Sequence, residues 1–427
     1  MRKRKAQGVE FPNGARRLPR TACWSLLVAL PVWLAACGSD AERAPPHEGD
    51  AGSSSGGEAG VNSRAGSAGK SGSGVDAGAA GESASDAGAA GEVGSAGAAN
   101  GGQGGSSGNA GSGSQPPSCR AGNTLKCGLN EESCCASPAL PGQTFYRGYD
   151  NVTPQFKSMA YPAAVTSLRL DKFEVTVGRF RQFVAAAIAD WRPDAGGGKH
   201  SHLSDGKGLA NIGAAGGYES GWDEAWSTRL DGKAADWNKH LACDQASASW
   251  TPTAGSKEML PIACVNWYEA YAFCIWDEAF LPSEAEWNGA ASAGPQQRVY
   301  PWSDPPSSTS IDCAHANFLG ATGANGAEFC ISPGTGSVNV VGGQSPLGDG
   351  RWGHADLAGN VYEWTLDSYA DYTNACPDCV NSEDLENKVM RGGGYANDAS
   401  AQLVAERAAN PPAARSTSLG FRCARPM

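Results

Sequence analysis

Apolar positions along the chain change period several times, and the changes mark its elements. In Leu168–Val184 (LRLDKFEVTVGRFRQFV) Leu168, Leu170 and Phe173–Val177 follow strand patterning. From Gly178 onward Phe180, Phe183, Val184 and Ala187 recur at helical spacing. A strand running into an amphipathic helix is expected. Leu260–Ala293 predicts two more helices. Asn266 is placed to cap the first, whose Trp267, Ala270, Tyr271, Cys274 and Ile275 share one face. Ser283 with Glu286 three residues on forms a capping box for the second. Glu284 and Glu286 could be taken for paired catalytic acids, but in a first helical turn acids serve the cap and the helix dipole. His354–Trp364 (HADLAGNVYEW) reads as a turn at Gly359-Asn360 entering a strand, with Tyr362 and Trp364 on an apolar face. Residues 192–257 are polar and rich in Gly and Trp, with His200, His202 and His240 but no third metal ligand at a recognisable spacing. They read as a surface loop.

The N-terminus follows another logic. Arg2, Lys3, Arg4, Lys5, Arg16, Arg17 and Arg20 precede a nearly all-apolar run, Ala22–Ala36, which is too short to span a bilayer and fits a secretory signal peptide over residues 1–36. Leu34-Ala35-Ala36-Cys37 resembles a bacterial lipobox, in which Cys37 is lipidated and becomes the first mature residue; Gly38 after it favours the outer membrane. Residues 37–118 are Gly, Ala and Ser with scattered acids, and DAGAAGE occurs at 76–82 and again at 86–92. So little apolar surface cannot offset the entropy of ordering, and a flexible tether with a reach of roughly 50 Å is expected. The folded head is then 119–427, with a Cys-rich lead-in at 119–142.

Charge and cysteine content narrow the partners. The 427-residue chain has net charge −11, and residues 1–36 carry seven Lys/Arg and one Glu, a net +6, so the remainder stands at −11 − 6 = −17. That acidity excludes nucleic acid as a natural partner. Fourteen cysteines point to an oxidising compartment. Cys119, Cys127, Cys134 and Cys135 could form a zinc knuckle, but export favours disulfides, whose three pairings stay open.

The opening chemistry lies in HADLAGNVYEW. A turn at Gly359-Asn360 would swing the carboxylates of Asp356 and Glu363 together and aim intervening carbonyls at one point, a donor set suited to Ca²⁺. The alternative is an ordinary loop corner with a solvated Glu363.

Phe173–Val184, Asn266–Trp287, Tyr300–Trp302, Asp356–Trp364, Arg391–Tyr395 and Gly420–Cys423, in this order, resemble the formylglycine-generating enzyme or sulfatase-modifying factor family over nearly all of 145–425. The resemblance implies a compact α+β domain, related to C-type lectin folds, with much irregular chain. It implies structural calcium held by Asp356, Gly359, Val361 and Glu363. A second calcium would use Asn317 and Phe318, but the loop that should complete that site has Ile331 and Pro333 and no acid. A disulfide between Cys274 and Cys423 is also implied; proximity in sequence suggests Cys243–Cys264, Cys313–Cys330 and Cys376–Cys379.

The oxidases of the family hold Cu(I) with two cysteines five residues apart after an RGG segment. Counted from Arg391-Gly392-Gly393, those positions are Asn397 and Gln402; the family serine is Gly394 and a family histidine is Asp398. Hard amide groups do not replace soft thiolates, so copper is not expected. Cys376-x-x-Cys379 offers two sulfurs but reads better as a disulfide. The expectation is therefore an exported lipoprotein, anchored through Cys37 in the outer membrane, whose domain has lost the oxidase centre and binds an envelope protein or glycan. The alternatives are a formylglycine-generating oxidase acting on a sulfatase cysteine, or another oxidation on the same scaffold.

Overall fold

The computed structural model describes residues 115–120, 125–243, 247–323, 326–330, 337–372 and 375–427. The segments expected as signal peptide and tether, Cys37 included, lie outside the described residues up to residue 114, as do Ile331 and Pro333. Among the described residues no helix is long and apolar enough to cross a membrane.

Short strands and four helices alternate with long irregular chain. In order they are β1 (Gln143–Tyr146), β2 (Pro162–Val165), β3 (Leu168–Leu170), α1 (Val177–Ile188), α2 (Ala234–His240), α3 (Trp267–Trp276), α4 (Glu284–Ser292), β4 (Tyr362–Ser368), β5 (Lys388–Arg391), β6 (Ala408–Asn410), β7 (Leu419–Gly420) and β8 (Ala424–Pro426). The central sheet runs β6-β5-β4-β7; β4 is antiparallel to β5, with Glu363 opposite Arg391, and parallel to β7. β1 and β2 pair antiparallel, and Cys376–Pro377 adds parallel to β2. β3 lies between β8 and Ala139–Leu140.

Local sequence explains the helix starts. Both capping boxes form: Glu269 N donates to Asn266 Oδ1 (2.9 Å) while Glu269 Oε2 accepts from Asn266 N (3.0 Å), and Ser283 and Glu286 repeat the exchange. α1 starts at Val177, where Arg179 N donates to the Thr176 hydroxyl. The strand expected over Phe173–Val177 does not form. Phe173 lies in a bend, Val177 already begins α1, and Val175 makes single bonds, its N to Phe421 O and its O from Ile262 N, rather than a ladder. α3 is buried on almost every face, not on one stripe, because Glu269, Ala272 and Phe273 are enclosed as well.

The principal core joins α1 and α3 to β4 and β7. Phe180 stacks on Phe273, with ring centroids 5.6 Å apart, and the Cys274–Cys423 disulfide crosses this core. The insertion at 192–257 is not a surface loop. It supplies Leu203, Leu209, Trp222, Leu230, Trp237, Leu241 and Trp250 to the same core, and Trp237 is fully buried. Its apolar residues have no regular period because they descend from irregular chain.

Six disulfides brace the head: Cys119–Cys135, Cys127–Cys134, Cys243–Cys264, Cys274–Cys423, Cys313–Cys330 and Cys376–Cys379. The lead-in is also held by polar contacts. Ser118 N donates to Asp277 Oδ1 (2.9 Å), and the fully buried Arg179 bridges Ser118, Asp171 and Asp277.

Candidate functional site

The turn at Gly359-Asn360 forms with φ of +87° and +63°. A side chain at 359 would bring a Cβ to 2.6 Å from the Asn317 carbonyl oxygen, so glycine is required by space as well as by backbone angle. Asn360 then ties four segments together. Its N donates to Asn317 O (2.8 Å), its Nδ2 to Glu174 Oε2 (2.6 Å), and its Oδ1 accepts from Asn339 N (2.8 Å) and Asn317 Nδ2 (3.1 Å); its carbonyl accepts from Tyr395 N (2.9 Å).

Glu363 is not solvated. It is 1% exposed, and both oxygens meet Arg422 (2.6 and 2.7 Å), with a third bond from Trp287 Nε1 (2.9 Å). Arg422 also donates to the carbonyls of Asp171, Lys172 and Ala355. Asp356, with φ of +55°, accepts from Gly342 N (2.5 Å).

Buried acids therefore outnumber cations here. Glu174, Asp356 and Glu363 share the Arg422 guanidinium. Burial, reinforced by Asp349 and Glu363, pushes Asp356 up to about 6 against the pull of Gly342 N and Arg422. Burial, then repulsion from Asp356 and Glu363, raises Glu174 well above the usual carboxylate range. Asn317 Oδ1 is buried beside this cluster and has no hydrogen-bond partner among the described residues. Excess buried negative charge around Asp356 suits a hard cation at the first expected site, while the orphan Asn317 oxygen belongs to the second. Glu363 could join only by sharing oxygens already held by Arg422. The Phe318 carbonyl accepts from Cys330 N (3.1 Å), which leaves the second sequence-derived site with Asn317 as its open donor.

The RGG segment that leads into the positions expected to differ from the oxidases lies directly against this loop: Gly359 N donates to Gly392 O (2.9 Å). Gln402 closes a short turn, Ala399–Gln402, that Asp398 caps through Ser400 N (2.9 Å). The Gln402 side chain is 1% exposed and folds back into its own loop, its Nε2 donating to the carbonyls of Gly394 (3.3 Å), Asn397 (3.3 Å) and Asp398 (3.2 Å). Gly393, at φ +72°, has no room for a Cβ, which would stand 2.3 Å from Gln402 Oε1. Asn397 is half-buried; its N donates to Gly394 O (3.0 Å) and its O accepts from Leu319 N (2.9 Å). Chemically, this loop offers neutral amides. Every cysteine among the described residues is in a disulfide, so the oxidised chain presents no thiolate there.

Two buried networks escaped the sequence reading. His200, in the insertion, lies between Glu219 (3.0 Å from Nδ1) and Glu286 (3.1 Å from Nε2), all three buried. Desolvation opposes its charge, but Glu286 and Glu219 outweigh it and raise the imidazole to about 10. Glu286 was legible only as a cap. Glu284, expected to serve the helix dipole, instead accepts from Arg407 (2.7 and 2.8 Å) and the Tyr372 hydroxyl (2.8 Å). Tyr372 and Arg407 lie 88 and 123 positions away, and no local spacing announces them.

A compact mixed α/β domain with short sheets, a Gly-Asn turn bearing buried carboxylates and an RGG loop beside it defines the class. The chain belongs to the family of the sulfatase-modifying factor enzyme 1-like domain, which matches residues 131–427. It is similar to inactive C-alpha-formylglycine-generating enzyme 2 of Bos taurus (32% identity over 180 residues, 40% of this chain and 53% of that protein). It is also similar to the formylglycine-generating enzymes of Streptomyces coelicolor (32% over 173 residues; 38% and 52%) and Mus musculus (30% over 174 residues; 38% and 44%). The chain spans about half the length of these curated relatives. Among solved structures, PvdO from Pseudomonas aeruginosa aligns over 69% of this chain and 100% of its own at 17% identity, with a TM-score of 0.45.

Proposed function

We propose that this is a binding member of the family that has lost the copper–thiolate oxidase centre. The observation that carries the reading is the side chain of Gln402, buried and bonded to the carbonyls of its own loop where an oxidase would hold a thiolate. Asn397, Gly394 and Asp398 differ from the oxidase pattern with it. An amide can neither bind Cu(I) as a soft ligand nor take part in thiol exchange with a substrate cysteine. One relative is itself named an inactive formylglycine-generating enzyme. In this reading the head is exported, anchored by lipid on Cys37 in the outer membrane and held out on the tether of 37–118, where it engages an envelope protein or glycan.

Calcium belongs to the same reading as a structural ion. The Asp356 side chain, carbonyls at Gly359 and Val361, and a shared Glu363 oxygen would hold it, and its charge would offset the excess of buried carboxylates. The residues around it fix the corner from which Gly392 and Tyr395 hang.

The alternatives, formylglycine generation or another oxidation, are tested directly. The purified chain is incubated with Cu(I), O₂ and a cysteine-containing sulfatase peptide, and aldehyde is captured with a hydroxylamine probe. No aldehyde at saturating copper is expected; formation of the aldehyde contradicts the non-oxidase reading.

A further inference from the structure

A cleft of about 450 Å³ opens at the Arg407 end of the loop that follows Gln402, walled by Tyr161, Tyr369, Tyr372 and Arg407 with Asp371 and Glu406 at its edge. The volume lies within the range of small-ligand sites, about 300–1,000 Å³. Its back wall is anchored from behind. Buried Glu284 holds both the Arg407 guanidinium and the Tyr372 hydroxyl, and Glu284 N in turn donates to Asp367 Oδ2 (2.7 Å). Arg407 sits between two rings, 4.0 Å from the Tyr372 centroid and 4.6 Å from that of Tyr369, and Tyr161 packs on Tyr372 at 5.5 Å. The front is open: Tyr369 is 42% exposed, and the hydroxyls of Tyr161 and Tyr369 and the carboxylate of Asp371 have no hydrogen-bond partner among the described residues.

These features select a ligand by charge. Asp371 and Glu406 at the edge repel an anion, nucleotides included, and the Arg407 charge is already balanced by Glu284. A cation is repelled by the Arg407 guanidinium that already lies against Tyr369 and Tyr372. A neutral ring with one apolar face and several hydroxyls suits the site: C–H groups cover the tyrosine faces, and hydroxyls donate to the carboxylates and exchange bonds with the tyrosine hydroxyls. We infer that the cleft between Tyr161, Tyr369 and Arg407 binds a neutral carbohydrate. The inference rests on the binding-module reading and names its ligand class and its site. Because the wall is fixed before the ligand arrives, little ordering is needed on binding.

Saturation-transfer NMR on the full chain with maltotetraose, cellotetraose and N-acetylated chitotetraose as probes tests it. At least one sugar should receive saturation at its ring protons. Tyr369→Ala and Tyr161→Ala should each weaken that sugar by about tenfold without moving the melting temperature, and Tyr369→Phe should retain most of the affinity. No transfer to any of the three sugars, or transfer unchanged in both alanine variants, overturns the inference. Aldehyde formation in the peptide assay would contradict the non-oxidase reading and leave sugar contact at this cleft intact, so the two failures are distinguishable.

Discussion

The loop at Asp356–Glu363 and the loop at Gly394–Gln402 touch, yet they are built on opposite principles. The first buries charge. Its atoms are fixed by partners far away in sequence, Glu174 lying 186 positions from Asn360 and Arg422 lying 59 from Glu363. The second buries no charge: its one acid, Asp398, is exposed, and Gln402 bonds four to eight positions back within its own turn. The first loop is over-determined and sets where the strands and the RGG segment go. In the proposed reading the second can change its side chains without disturbing that frame.

Substitutions should separate the two loops sharply. Arg422→Ala leaves Glu363 buried without its cation and should cost about 3–5 kcal/mol in urea unfolding. If it costs no more than a surface change, the first loop is not the frame. Calcium should add next: at a hundredfold excess over its dissociation constant it should stabilise by about 2.7 kcal/mol, read as a melting temperature that EDTA lowers. An unmoved melting temperature would remove calcium from the account.

The His200 clamp ties the insertion to α4 and makes a pH prediction. Its folded-state pKa, about 10, lies above the ordinary 6.5, so its contribution is complete below about 6.5 and is lost as pH rises through about 10. Unfolding at pH 6 and pH 9.5 should show a loss on the order of 4 kcal/mol that His200→Gln abolishes; an equal loss in the variant would assign it elsewhere. Smaller still, Gln402→Ala should cost about 1–2 kcal/mol by removing the buried Nε2 bonds to the carbonyls of Gly394, Asn397 and Asp398, while Asn397→Ala should stay within about 0.5 kcal/mol. A larger cost for Asn397 would make the second loop part of the frame.

What the sequence disclosed follows the same division. The capping boxes at Asn266 and Ser283 were legible because both partners lie three residues apart, and the Gly359-Asn360 turn because its φ values demand those residue types. Glu363 looked equally suited to water, since nothing near it in the chain announces Arg422. The insertion looked like a surface loop because Trp222, Trp237 and Trp250 reach the core from irregular chain without a period. His200 and Glu284 acquire their roles only when segments 80 or more positions apart are brought together.

The claim that the second loop has lost its metal chemistry is tested most directly by Cu(I) competition. The chain is titrated into the coloured Cu(I)–bicinchoninate complex under ascorbate, beside an Asn397→Cys/Gln402→Cys double variant. The account predicts that the wild-type chain leaves the colour unchanged and that the variant withdraws copper. Stoichiometric withdrawal by the wild-type chain would contradict it.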